Sequence, residues 1–188
     1  MEVTGKPTVK KLLFEASYKG LELEKYPALL EELQELVNFQ QLEATYPLET
    51  LQKYSDIVLK RFYRHLSQDK AYYEAGRRSF TGFYKGTVVG GIMLTAIKLM
   101  NPVRLTNLGS RLFTDSGLGE AKVESLDKTR MRVTYRGFPL SPHFAAGILC
   151  EGVITAGYPN VRYEIEKTYP TITSLQNFDI IYSWDEKA

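Results

Sequence analysis

The sequence predicts an α+β fold in which a helical N-terminal half packs on a small antiparallel sheet and the C-terminal half runs β-β-α-β-β. Three observations carry this expectation. Apolar residues recur at helical spacing through most of residues 9–113. Strict alternation begins at AKVESLD (121–127) and RMRVTYR (130–136), and returns in VRYEIEKTY and NFDIIYSW. One helical stretch, SPHFAAGILCEGVITAGYPN (141–160), divides the two alternating pairs. The 188 residues, 44% hydrophobic and 24% charged, suit one domain with a sizeable core. We expect that domain to span 1–188, mainly helical over 1–113 and β-β-α-β-β over 120–185, without linker, repeat or low-complexity segment.

Taken in order, VKKLLFEASYKGL reads as a short helix from Val9 that ends near Gly20. In YPALLEELQELVNF, Pro27 stands near a helix start. Leu29, Leu30, Leu33, Leu36 and Val37 mark its apolar face, with glutamates opposite. The segment from Ala44 to Ser67 is a longer helix, with Pro47 in its first turn and a stripe of Leu51, Tyr54, Ile57, Val58, Phe62 and Leu66. Ser67 or Asp69 caps the next helix, which is expected to run on to Asn101-Pro102. PVRLTNLGSRLF gives one more short helix, and TDSGLGE a turn. Asp127-Lys128 turns the first hairpin. Ser141, Pro142 and Gly157 cap, start and close the C-terminal helix.

Within RRSFTGFYKGTVVGGIM (77–93), Gly82, Gly86 and Gly90 fall four apart on a helix. Each costs about 1 kcal/mol relative to alanine. Residues four apart lie on one face, so the three make a smooth groove where another backbone can approach closely. That groove can serve internal packing, a subunit interface or the bare wall of a ligand pocket. Between Glu74 and Asp115 no acidic residue occurs, while Arg77, Arg78, Lys85, Lys98, Arg104 and Arg111 do. Arg77 and Arg78 can hold a phosphate or carboxylate, or pair with glutamates of the N-terminal helices.

A net charge of +2 gives no field that draws nucleic acid or membrane. The basic and aromatic run RMRVTYRGF carries no recognition motif, so no nucleic-acid partner is expected. The longest apolar run, Gly86 to Ile97, is too short for a membrane span. MEVTGKPTVKK has no apolar signal core, and Cys150 is the only cysteine, so a cytoplasmic location is expected. Phosphate-loop, dinucleotide-binding, nucleophile-elbow and zinc-protease motifs are absent. The two histidines, His65 and His143, rule out a metal site built of several imidazoles. His143 and Cys150 lie two helical turns apart, too far for direct activation, so Cys150 reads as a buried small hydrophobe.

TVKKLLFEA, TYPLETLQKY, YYEAGRRSFTGFYKGTVVGGIM, NPVRLTNLGSRLF, FAAGILCEGVITAGYPNVRYEI and FDIIYSWD occur in that order. Their succession resembles an uncharacterised bacterial family of similar length that is multiplied into paralogues in myxobacteria. The C-terminal half also resembles the 4-vinyl-reductase-type ligand-binding domain. That domain shares its arrangement with TRAPP vesicle-tethering subunits and with domains associated with haem nitric-oxide sensors. This resemblance implies a helical layer on a small sheet, often around an apolar pocket, and frequent dimers. The cysteine-rich end of many such domains is missing, since no cysteine follows Tyr163. The Tyr-x-Ser-x-Arg signature of true haem sensors is also missing, so no cofactor or metal is expected.

The function expected is a sensory or regulatory module, not an enzyme, that binds a small, partly apolar ligand. Phe83, Tyr84, Met93 and Phe144 are candidate walls, Gly86 and Gly90 the bare face, and Arg77 or Arg78 an anchor for an anionic group. The alternative is an adaptor without a ligand, a homodimer through the glycine groove. An enzyme is the third reading, and it lacks a catalytic constellation.

Overall fold

The structure is a computed structural model that describes residues 7–86, 88–171 and 174–187. It is a mixed α+β fold whose described residues form seven α-helices and two antiparallel sheets. The first sheet is a two-stranded clip absent from the sequence expectation. β1 (Thr8–Lys10) pairs with β2 (Thr45–Pro47), and Val9 faces Tyr46. Both side chains turn into the core. The helix expected from Val9 therefore begins later, as α1 (Leu12–Leu21). The backbone of residues 8–10 is committed to the clip, and Lys10 N–H donates to the Ser116 carbonyl at 3.1 Å. Pro47 is likewise extended, at φ −55° and ψ 143°, and caps α3 (Leu48–Phe62) rather than entering its first turn. Between them lies α2 (Pro27–Gln34), which starts at its proline as expected.

α1 does not stop at Gly20. It continues to Leu21, and Glu22 turns the chain at φ 52°. Gly20 is needed for packing. A Cβ there would overlap the Arg78 carbonyl of α4 (Gln68–Gly86), and a Cβ at Gly82 would overlap the backbone of Ala16 and Gly20. The other side of α4 meets α7 (Pro142–Thr155) in the same way, with Gly76 against Phe144 and Gly147 against Tyr73. Helix α4 is thus held between two helices at backbone-to-backbone distance. The expected groove is filled from within the chain at Gly82, and at Gly86 by the aliphatic part of Lys19. This removes the main argument for a dimer through that face.

The long helix expected to reach Asn101 is divided. α4 ends at Gly86, α5 spans Val88–Ile97, and Thr87 lies outside the described residues. Asn101 then caps α6 (Pro102–Asp115), its side chain accepting from Arg104 N–H at 2.8 Å. Along the chain β3 (Glu120–Ser125), β4 (Arg130–Phe138), α7, β5 (Arg162–Tyr169) and β6 (Gln176–Ser183) follow. The sheet order is β3-β4-β6-β5, all antiparallel. Asp127 fixes the first hairpin by accepting Thr129 N–H at 2.8 Å.

Alternation sorts the two faces of the sheet. Met131, Val133, Tyr135, Phe138, Phe178, Ile180 and Tyr182 are buried on the inner face, which packs on α6 and α7. Arg132 and Arg136 point outward and pair with Glu124, Glu166 and Asp179. The aromatics of RMRVTYRGF, Tyr135 and Phe138, are therefore inside, and its outward Arg132 and Arg136 are paired with carboxylates. No helix among the described residues is long and apolar enough to cross a membrane.

Candidate functional site

Three helices of the N-terminal half, α1, α3 and α4, face α6, α7 and β4 across a gap. The gap is a cavity of about 140 Å³. Its walls follow from helical periodicity. On α4, Tyr72, Ala75, Ser79 and Phe83 fall three or four residues apart and line it as one stripe. Leu105, Gly109 and Leu112 do the same from α6, and Phe144, Ile148 and Gly152 from α7. Gly109 matters sterically, because a Cβ there would meet nothing within 4 Å.

The wall is apolar with scattered hydroxyls, several of them engaged. Tyr54 donates to Ser17 at 2.8 Å, Thr106 to the Pro102 carbonyl at 2.8 Å, and Tyr135 lies 3.2 Å from the Tyr182 hydroxyl. Burial pushes the Tyr54 and Tyr135 phenols up, and the Tyr84 phenol up to about 12. Tyr84, which also lines the cavity, is only 5% exposed.

Of the residues expected to bind a ligand, Phe83, Tyr84 and Phe144 line this cavity. Arg77, Arg78, Gly86, Gly90 and Met93 are not among its walls. Arg77 Nε donates to Glu151 at 2.7 Å and Nη1 to Glu74 at 3.3 Å, which ties α4 to α7. Its shorter contact is thus with a C-terminal glutamate, and the longer one with a glutamate of its own N-terminal helix. Arg78 reaches the Gly20 carbonyl at 3.5 Å and lies over the Phe62 ring. Neither arginine is poised as an anion anchor for the cavity. Gly86 sits against Lys19, Gly90 is buried in α5, and Met93 packs half-buried on the core.

Sequence reasoning missed the walls from α1 and α3. Leu51 and Val58 read as part of an ordinary buried stripe and nothing in the sequence marks Leu13 or Ala16; only the three-dimensional crossing of α1, α3 and α4 gathers them. It also missed a polar bridge outside the cavity. His143 Nδ1 is 2.9 Å from the Tyr163 hydroxyl, and Nε2 is 3.4 Å from Asp69, so this histidine links α7 to β5 and to the start of α4. Cys150 is fully buried, and burial pushes its thiol up to about 12, which fits the inert small hydrophobe expected. Among the described residues, no group of three His, Cys, Asp or Glu side chains could hold a metal ion.

A family described as "Protein of unknown function (DUF2378)" matches residues 4–176. The chain belongs to this family. The family is an uncharacterised one, as expected. No curated protein sequence matches it.

Solved structures do match. One is "Crystal structure of an oxygen binding H-NOX domain related to soluble guanylate cyclases (oxygen complex)", with TM-score 0.65 and 11% identity over 95% of this chain and 96% of that one. Another is the Fe(II) unliganded H-NOX protein mutant A71G from K. algicida, with TM-score 0.60 and 14% identity over 94% and 97%. A third, "Probing the function of heme distortion in the H-NOX family", matches with TM-score 0.64 and 10% identity over 95% and 96%. At such identities the likeness is one of fold. It corrects the expected 4-vinyl-reductase or TRAPP likeness, because these matches are H-NOX domains and cover nearly the whole chain rather than its C-terminal half.

The residues around the cavity do not fit haem. Among the described residues that line it there is no histidine, cysteine or methionine to ligate iron, and no arginine or lysine to neutralise propionates. His65 is exposed between α3 and α4, and His143 is held by Tyr163 and Asp69.

Proposed function

We propose that this protein is a sensory or regulatory module that binds a small, partly apolar ligand in the cavity between its two halves. The observation that carries the reading is the cavity itself: a gap of about 140 Å³ at the meeting of five helices and the sheet, where interiors are otherwise close-packed. One of its H-NOX fold neighbours, described as an oxygen complex, supports it as analogy. Binding would act by population shift, favouring whichever packing of the two halves fits the occupant better.

Native and denaturing mass spectra of the purified protein test this. A reproducible extra mass that is lost on denaturation is the expected result. A clean mass, with no thermal stabilisation from any of a panel of small apolar molecules, would refute the reading.

A second reading, an adaptor without ligand, is favoured by one observation. Ile92 on α5 and Leu99 just after it are 73% and 87% exposed. An adaptor would dock through these residues rather than through the glycines, and its binding to a partner would be lost in Ile92→Ser with Leu99→Ser while stability stays unchanged.

A further inference from the structure

Resting on the ligand-binding reading, we infer that the cavity selects an uncharged, mainly apolar molecule of about single-ring size and admits neither haem nor an organic anion. Size is the first argument. The cavity of about 140 Å³ is close to the ~150 Å³ of an apolar cavity known to hold benzene, far less than a porphyrin occupies.

Charge is the second. Among the described residues lining the cavity none is acidic or basic, so a carboxylate or propionate would be buried without a partner. The two arginines that could have supplied one are spent on Glu151, Glu74 and the Gly20 carbonyl.

Donor chemistry is the third. The iron ligands that the wall could offer are tyrosines, and burial holds these phenols in their protonated form. What remains for recognition is a few wall hydroxyls, those of Tyr84, Ser55 and Ser79 among them, beside the Phe80 and Phe83 rings. A ring or short chain carrying one hydroxyl or carbonyl matches that wall.

The test compares three probes: benzyl alcohol, benzoate and haemin. Each is titrated into the wild type and into Gly109→Phe. Residue 109 opens onto the cavity with nothing within 4 Å of its Cβ position, so the new ring can enter without displacing backbone. Circular dichroism and melting show that this variant is folded, and Ala75→Phe, on the opposite wall, replaces it should it fail to fold. Benzyl alcohol is expected to raise the melting temperature saturably, to bind roughly a hundredfold more tightly than benzoate, and to lose this effect in the filled variant.

Benzoate binding as tightly as benzyl alcohol would overturn the charge argument. A sharp, one-to-one Soret band with haemin, abolished in the filled variant, would overturn the exclusion of haem and leave the ligand-binding reading standing. If benzyl alcohol does not bind saturably, or binds equally well in the filled variant, the inference falls, while the ligand-binding reading stands or falls on the native mass and the panel of small apolar molecules.

Discussion

Gly147→Ala should destabilise the protein, against the helix propensity of the residues exchanged. Gly147 lies inside α7, where alanine is favoured over glycine by about 1 kcal/mol. A Cβ at this position would stand 2.9 Å from the Tyr73 carbonyl carbon and 3.0 Å from the Arg77 nitrogen, and would overlap the Tyr73 oxygen. All three atoms are backbone of α4, so no side chain can rotate away and the helices themselves must part. Overpacking costs about 1–3 kcal/mol, and rigid neighbours place this case at the upper end. Less the propensity gain, the net loss is about 2 kcal/mol, or roughly 4–8 °C in Tm for a chain of this size.

Gly109→Ala is the matched control. It is also a helix-interior glycine, but its Cβ meets nothing within 4 Å. It should gain up to about 1 kcal/mol. Thermal and urea unfolding of the two variants measure both signs. A Gly147→Ala protein as stable as the wild type would refute the backbone-contact account of how α4 is held.

Three further outcomes follow from individual groups. A double-mutant cycle of Arg77→Met and Glu151→Gln should show a coupling of about 1 kcal/mol, modest because the arginine side chain is 37% exposed; urea unfolding measures it. Asp179 is buried, which alone would raise its pKa, but the Tyr169 hydroxyl at 2.7 Å, Thr134, Arg136 and Arg132 outweigh burial and hold the carboxyl below its usual range. Its stabilisation is present above the unfolded value of about 3.9 and lost as pH falls through the lower folded value. Wild type minus Asp179→Asn stability should therefore shrink below about pH 4, and a difference that grows there would contradict the assignment. Cys150, with its thiol pushed up to about 12, should resist a disulfide reagent at pH 8 in the native protein and react at once in urea; rapid native labelling would show that α7 opens.

The helices and the long strands were legible because each carries many repeats of its period. α2 began at Pro27 and α7 at Pro142 as read, and Asp127 turned the hairpin, since these signals are local. β1 and β2 were not legible: three residues each give one alternation, and Val9 fits a helical pattern equally well. The glycine spacing pointed correctly to a close helix crossing, but not to its partners. Gly20 and Gly147, which complete the crossings at Gly82 and Gly76, are far away in sequence. Arg77 shows the same limit, because its short contact is with a glutamate 74 residues on. Phe83, Tyr84 and Phe144 were found as walls because aromatics beside a glycine-rich helix are a local cue. The α1 and α3 walls carry no such cue.

Helix α4 separates what holds the fold from what lines the cavity. Gly76 and Gly82 hold it against α7 and α1 through backbone contact, and Arg77 adds an ion pair. Tyr72, Ala75, Ser79 and Phe83 form a different stripe of the same helix, turned to the cavity. Substitution on the second stripe alters the size and polarity of the cavity without moving the contacts of the first. The same division applies to α6, where Asn101 fixes the start of the helix while Leu105, Gly109 and Leu112 face the gap. The H-NOX-like backbone here encloses a wall that, among the described residues, carries no histidine, arginine or lysine. At 10–14% identity the backbone arrangement is still recognisable, and it is the residues of these stripes, not the fold, that set the lining of the cavity.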